Sequence, residues 1–588
     1  MISLKRLYFL VAVLIAISTT LFIAFPIAQL GTANLGIIDA INTDEGDLLA
    51  LIMHIFRENS FNLGSSPYGI LYYNLCLASA YALSWFTEVK HTHVIIIARF
   101  ISYFFLLGSA ALIAAYVKRF KMGEWGTAFV LTLLASEVLI RYGLMLHPDS
   151  IQMFFIVGGI YFISYFLETG KWKGFILSII CAALAFSSKY SGLLLFPLIG
   201  LSVLVKYQDL KNKLPVKKAI AFNIIGSALV FIAVELFYGS SFSRHLDKIS
   251  SLPFILQTVK IGSAFLFIFH VAVAFSPKLK QFSWVHFIVF VVSSGYTIIL
   301  VFLLAFLVAA PQGFIGLKFI DSFLIVIGGH VEGHWFRETE NKWAWFEVLS
   351  QNIVIPYVWY ILSFVGLVIL TVKSKWSRQN WYTPKWLPFY WIVLFMIVVL
   401  KGVGSKFSHF LIPIIPFFFI YVAYAFSEIV DYLTNKWIAD QRLQIKFFSF
   451  LILGGSLLFQ GFNFKKEKVV EFENSPRIAV GNWFNENIDN PIFILADKYV
   501  YIPNNENLKY RTNFGLTTGL IEELNPDYLT ITYDIYSRFT DSSRVGDYLY
   551  GHELFMDRTR LYNQLLANTQ NDYELIKNFG KNKIYKRR

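Results

Sequence analysis

Cysteine is almost absent, with two residues in a chain of 588. Cys76 and Cys181 sit in apolar stretches without metal-like spacing, which excludes a disulfide framework and a thiolate metal site. Charge is scarce as well. Only 15% of residues are Asp, Glu, Lys or Arg, against about 25% in soluble domains. Together with 56% hydrophobic residues and a mean hydropathy of +0.56, this excludes an ordinary soluble fold and predicts a polytopic membrane protein. Acids are the rarer sign, 38 against 51 basic residues, for a net charge of +13. That excess does not form a nucleic-acid face, because much of the Lys and Arg lies in short connectors between apolar runs, the positive-inside pattern. The chain carries no internal repeat and no low-complexity segment.

What is present is a series of membrane-length runs. Leu7 to Ala24 follows Lys5 and Arg6 and exceeds the about 7–15 apolar residues of a cleaved signal, so it reads as a first span with a cytoplasmic N-terminus. Further runs lie near 94–117, 124–142, 150–168, 219–238, 253–275, 282–308, 351–372, 386–400, 409–427 and 447–463. Residues 175–205 are too long for one span of about 20 residues and polar at their centre, which predicts a hairpin with Lys189 at its turn. Were 67–86 to span, the basic connectors would all face outward. It is therefore read as lying at, or re-entering, the outer interface, a depth that suits its tyrosines. Residues 45–59 read as an amphipathic interfacial helix with Leu48, Leu51, Ile52 and Ile55 on its apolar stripe.

The predicted fold is thus a polytopic all-α membrane protein of about thirteen transmembrane helices, residues 1–463, with interfacial helices in a first outer loop at 29–93. A small extracytoplasmic α/β domain, 464–588, follows. Its signals are strand-like PIFILAD (491–497) and YLTITYD (528–534) and a helix at 516–524 ending before Asn525-Pro526. On this topology the acidic cluster Thr43-Asp44-Glu45-Gly46-Asp47, Lys189, His147-Pro148-Asp149 and the stretches 309–350 and 401–408 share the outer face. Acids beside a membrane span are costly unless they face water or do chemistry.

The order of several motifs resembles the C-type, polyprenyl-phosphate-dependent glycosyltransferases, above all protein O-mannosyltransferases and lipid A aminoarabinose transferases. The matching elements are Asp44-Glu45-Gly46, PYGILYYNLCLA (67–78), Arg99, HPDS (147–150), SSKYSGLLLFP (187–197) and KFSHFLIPIIP (406–416), all within residues 1–430. The chain departs from the oligosaccharyltransferase branch, since it has no Trp-Trp-Asp motif, and it has His409 where the family usually has Arg.

The resemblance implies an integral plasma (inner) membrane enzyme that moves a hexosyl or pentosyl unit from a polyprenyl phosphate to a glycolipid, glycan or protein hydroxyl, with inversion. No nucleic acid is expected as a partner. Such a reaction needs a carboxylate base and cations for the leaving phosphate. Asp44 is the expected base, with Glu45 as the alternative base or as its positioner, and Asp149 as the third catalytic acid. Lys189, Arg99, Lys406 and His409 are the expected phosphate contacts. His147, His330, His334 and Arg337 are expected on substrate. Each has a plainer reading: Asp44 and Asp149 as helix caps, Lys189 as a snorkelling lysine, the other cations as boundary markers. His330 and His334 have i,i+4 spacing, but three nearby glycines weaken a helical zinc site, so no metal is assigned and a divalent cation is left open. The other classes weighed are a transporter or flippase of a lipid-linked anion and a non-catalytic scaffold. The absence of a repeat disfavours the transporter.

Overall fold

The structure is a computed structural model. It describes residues 4–59, 68–211, 215–239, 252–313, 344–374, 382–402, 407–437, 442–542, 545, 548 and 551–588. Lipid offers the backbone no hydrogen-bond partners, so apolar runs of membrane length must satisfy themselves as helices. Among the described residues, ten helices are long and apolar enough to cross a membrane, or eleven if one bent pair counts as a span. Two shorter apolar helices, Trp172–Ser188 and Leu387–Leu400, take the two other positions where spans were expected.

The first span joins α1 (Leu4–Thr19) through a π turn (Thr20–Ala24) to α2 (Phe25–Ala28). Between it and α6 (His91–Arg119) lie α3 (Leu35–Ile41), α4 (Thr43–Glu58) and α5 (Leu71–Ser84). In α4 the expected stripe holds: Leu48, Ile52 and Ile55 are buried, while Asp47, His54 and Glu58 are exposed. The 14 residues of α5 reach about 21 Å, short of the roughly 30 Å hydrocarbon core. Its tyrosines are partly enclosed by protein, with Tyr81 half-buried. Tyr72 and Tyr73 are buried in protein, with the Tyr72 hydroxyl 2.8 Å from Ser102 Oγ, and Trp85 and Phe86 are the exposed aromatics instead.

The run expected at 124–142 is not one straight helix. It breaks by 69° between α7 (Trp125–Leu134) and α8 (Glu137–Gly143). Ser136 caps α8, its hydroxyl accepting from Leu139 N, and serine favours caps over helix interiors. Next come α9 (Asp149–Thr169) and α10 (Trp172–Ser188), then Lys189 in extended conformation, a 3₁₀ turn (Tyr190–Leu195) and α11 (Phe196–Leu210). The polar break at Lys189 is where the hairpin was expected. Helices α12 (Val216–Gly239), α13 (Leu252–Phe275) and α14 (Ser283–Ala309) follow, then a short α15 (Ala344–Leu349), α16 (Tyr357–Ser374) and α17 (Leu387–Gly402). Residues 409–414 are not helical span as expected; α18 runs Ile415–Trp437, because Pro413 stops an earlier start whereas Pro416 is tolerated in a first turn.

The last membrane helix, α19 (Arg442–Glu473), outruns the apolar stretch expected to end at 463. Lys465-Lys466-Glu467-Lys468 are good helix formers, so the helix continues after the lipid-compatible residues stop. Then α20 (Pro476–Asn487) leads into a five-stranded sheet of β1 (Ile492–Asp497), β2 (Leu508–Asn513), β3 (Tyr528–Ile531), β4 (Tyr573–Phe579) and β5 (Asn582–Arg587). The order is β2-β1-β3-β5-β4, parallel across the first three and antiparallel at β5. Along β1 the side chains alternate: Leu495 joins Leu529 and Phe555 on one face, and Ile494 and Ala496 pack with Val480 and Phe484 of α20 on the other.

This domain sits on the acidic region. Arg477 donates to Ala40 O, Asn34 to the Tyr501 hydroxyl, and Lys498 Nζ lies 3.2 Å from Asp47. The domain and the starts of α4, α6 and α9 therefore share one end of the bundle.

Candidate functional site

Helix α4 begins at Thr43 after Asn42, whose backbone is extended. Asp44 is thus inside the first turn, not the cap, and acids there complement the helix dipole. Gly46 is required by packing, since a Cβ would meet Asp39 Oδ1 at 2.6 Å where α4 crosses α3. One residue apart, the two acids have opposite environments. The Asp44 carboxylate is exposed, and among the described residues no hydrogen bond or ion pair holds it.

Glu45 is buried and doubly bonded to Arg99, at 2.9 Å from Nε and 2.7 Å from Nη2. Its Oε1 also accepts from Leu146 N at 2.6 Å. Arg99 uses Nη1 on the carbonyls of Ala28 and Leu30, at the C-terminal end of α2, where a cation is favoured. This pair fastens α2, α4, α6 and the loop before α9 to one another. Arg99 lies with Glu45 and does not join the other cations expected at the donor phosphate.

Two of those, Lys189 and His409, gather around Asp149. The first residue of α9 is fully buried, and again is not the cap, which is Pro148. Its Oδ1 lies 2.6 Å from Lys189 Nζ, and its Oδ2 lies 2.9 Å from His147 Nδ1 in an ion-pair contact off the hydrogen-bond axis. Gln152, three residues on, donates to Lys189 O and Ser191 Oγ and so pins the turn that presents the lysine. The Lys189 side chain keeps 13% of its surface exposed and lies over the Phe410 ring at 5.0 Å. His147 Nε2 is 3.1 Å from the Tyr68 hydroxyl, and His409 Nδ1 is 3.0 Å from the Tyr142 hydroxyl. The two imidazoles lie 5.7 Å apart.

The Asp44 charge acts on both the Tyr68 and Tyr142 hydroxyls, so it borders the same cluster. Burial, and next the charges of Asp44 and Asp149, push the Tyr68 phenol well above its ordinary value and keep it a protonated hydroxyl. Tyr68 is placed by Gly69, whose backbone runs against the end of α10. The Gly69 amide donates to Ser188 O, and a Cβ would clash with Ser187 O.

Asp149, Lys189, His147 and His409 thus come together with Asp44 at their border, while Glu45 and Arg99 form a separate brace. Lys406, His330, His334 and Arg337 lie outside the described residues. Among the described residues no three metal-binding side chains gather. Sequence reasoning missed Tyr68, Tyr142, Gln152 and Phe410. Gln152 was findable as a polar residue one turn after Asp149 on an apolar helix; Tyr68 stood in the quoted 67–78 motif without being singled out, and Tyr142 carried no signal apart from the many other aromatics. It also missed Arg141, exposed on α8. With Lys468, Arg477 and Lys581, Arg141 lines a cavity of about 470 Å³ between the helices and the C-terminal domain, with Glu45 and Arg99 in its wall.

Residues 76–238 match the family model of dolichyl-phosphate-mannose-protein mannosyltransferases. The matched stretch carries Arg99, His147, Asp149 and Lys189. This chain is similar to the C-type glycosyltransferases. Among solved structures, the apo oligosaccharyltransferase of Archaeoglobus fulgidus aligns with a TM-score of 0.46 and 11% identity over 93% of this chain and 72% of its own. ArnT from Cupriavidus metallidurans bound to undecaprenyl phosphate aligns with a TM-score of 0.41 and 9% identity over 99% of this chain and 97% of its own. A search of curated proteins finds no match. A membrane-embedded glycosyltransferase of the C type is what the family match supports.

Proposed function

We propose that this protein transfers a sugar from a polyprenyl phosphate to an acceptor hydroxyl at the outer face of the membrane, with Asp44 as general base. The acceptor oxygen attacks the anomeric carbon, Asp44 takes its proton, and the bond from that carbon to the lipid phosphate breaks with its electron pair on the phosphate. A single displacement inverts the anomeric configuration. The leaving phosphate is already an anion and needs cations instead of an acid. Lys189 and His409 supply that charge, with Lys406 a few residues before His409 in the sequence. Asp149 and His147 hold Lys189 in place, and the Tyr68 hydroxyl offers a neutral donor. Glu45 acts as positioner of Asp44. His330, His334 and Arg337 are assigned to substrate in the same reading. The membrane part, 1–463, has its N-terminus in the cytoplasm of a plasma membrane enzyme, and the domain 464–588 lies outside. The acceptor is a glycolipid, a glycan or a protein.

The observation that carries this reading is the contact set Asp149–Lys189–His147 with His409 close by, inside or adjoining the matched residues and bordered by Asp44. A carboxylate that accepts a proton next to a cation cluster suits displacement of a phosphate. Nothing among the described residues favours the transporter reading over it. The test is to incubate the purified protein with polyprenyl-phosphate-linked hexoses and pentoses in the presence of cell-envelope acceptors. Release of free polyprenyl phosphate with label on an acceptor is expected. Binding of the donors without release, across the whole set, overturns the enzyme reading.

A further inference from the structure

The end of the bundle far from the C-terminal domain carries a second cavity, of about 1170 Å³, opening between α1 and α6. Ligand sites are typically about 300–1,000 Å³, so this space suits a large ligand. It arises because α1 packs chiefly on α7 and α19, while the side that α6 offers is built of small residues, Ala111, Ala114 and Ala115. From Arg6 to Ile17 the groove follows α1 for about 17 Å, the scale of an acyl chain within one leaflet. Its walls are apolar, and its polar rim is at one end: Arg6, Lys118, Lys446 and Glu124.

These charges do not cancel. Lys446 is paired with Asp431 at 2.6 Å, and Glu124 accepts from Thr127 N at 2.6 Å as the cap of α7. Arg6 and Lys118 are exposed, and among the described residues no carboxylate pairs with either. A second observation is independent of charge. Tyr8, 4% exposed, lines the same groove beside that rim, and its buried hydroxyl has no hydrogen-bond partner among the described residues. Its ring is fixed by Phe447 and Phe450, so the hydroxyl stays where it is. A buried polar group without a partner is costly, and its persistence calls for an explanation.

We infer that this groove binds an anionic glycerophospholipid of the leaflet opposite the C-terminal domain. The phosphate lies between Arg6 and Lys118, an ester or glycerol oxygen accepts from the Tyr8 hydroxyl, and one acyl chain runs between α1 and the alanines of α6. Anionic lipid and basic rim complement each other, and the alanine wall leaves the width a chain needs. The site is separate from the sugar-transfer site and does not rest on it.

Native mass spectrometry of the detergent-solubilised full chain tests this with phosphatidylglycerol and phosphatidylcholine of matched chains. The wild type should retain phosphatidylglycerol about tenfold better, and the Arg6→Gln, Lys118→Gln double variant should lose that preference. Both side chains are exposed, so the variant should keep the wild-type unfolding temperature in lipid-free detergent. Tyr8→Phe keeps the ring stack and should weaken retention of both lipids several-fold. Equal retention of the two lipids by the wild type, or an unchanged preference in the double variant, overturns the inference. So does retention of decaprenyl phosphate in place of phosphatidylglycerol with the same dependence on Arg6 and Lys118.

Discussion

Two buried ion pairs stand close together in this molecule and are built for different ends. In Glu45–Arg99 both partners are enclosed and joined through two hydrogen bonds, and their remaining capacity goes to the backbone of Leu146, Ala28 and Leu30. In Asp149–Lys189 the acid is enclosed, but the lysine touches it with one bond, keeps exposed surface and rests on an aromatic face. The first pair has little left to offer a ligand. The second holds a cation ready to share. Sequence alone gives Arg99 and Lys189 the same description, a lone cation at a membrane boundary. Their difference lies in how many partners each already has, and that depends on residues forty or more positions away.

The comparison can be broken most severely at the acid next to the brace. Asp44→Asn should lower sugar-transfer turnover by about 10²–10⁴-fold, the usual contribution of a general base, with donor affinity and the unfolding temperature nearly unchanged. Turnover within a few-fold of wild type moves the base to another acid.

Next is the brace. Arg99→Met leaves Glu45 buried and unpaired, which should cost about 3–5 kcal/mol of stability and show as a much lower unfolding temperature in detergent. Glu45→Gln should also destabilise, so it cannot serve as a mild control for Asp44→Asn. Replacing both, Arg99→Met with Glu45→Leu, should recover part of the loss, because no lone charge remains. A double variant no better than the worse single one contradicts the brace.

The open pair should respond more in function than in folding. Lys189→Met should reduce turnover by about 10²-fold, the scale of removing one electrostatic donor, and weaken donor binding. His147 still faces Asp149 in that variant, so a smaller change in unfolding temperature than in Arg99→Met is expected. The reverse ranking erases the distinction between the pairs.

A pH-dependent effect lies in the C-terminal domain. Asp497 is buried at the end of β1, bonded to Tyr562 and Thr532, and burial raises its carboxyl from 3.8 to about 7. An acid with a raised folded-state value keeps its proton on folding. The domain should therefore be most stable below about pH 4 on this account and lose that stability as pH rises to about 7. Hydrogen exchange of β1 and β3 amides, corrected for intrinsic rate, should show local stability falling over that range. Asp497→Asn should flatten the dependence; an unchanged slope assigns it to other groups.

The fold was largely legible, because lipid leaves an apolar run of about 20 residues few choices beyond helix. Errors came where one polar residue decided the outcome. Ser136 bends a run that hydropathy reads as straight, and Lys465–Lys468 extend a helix beyond its apolar part. The gathering of Lys189, Asp149, His147 and His409 was anticipated as a shared face, inferred from the side on which basic connectors fall. Which of the cations are free to act was not, since Arg99 is matched to Glu45 only by the crossing of α4 and α6. Tyr68 and Tyr142 were hidden among 32 tyrosines, and only proximity distinguishes them.

The stack of Tyr8 on Phe447 and Phe450 also has a bearing on how the chain is made. The partners are about 440 residues apart, and at about 5–20 residues per second a ribosome needs roughly 20–90 s to travel from one to the other. During that interval α1 resides in the bilayer without the helix that covers its inner side. A product that stops before α19 lacks both rings that stack on Tyr8. Closure of the bundle thus waits for α19, and the sheet domain emerges only after it.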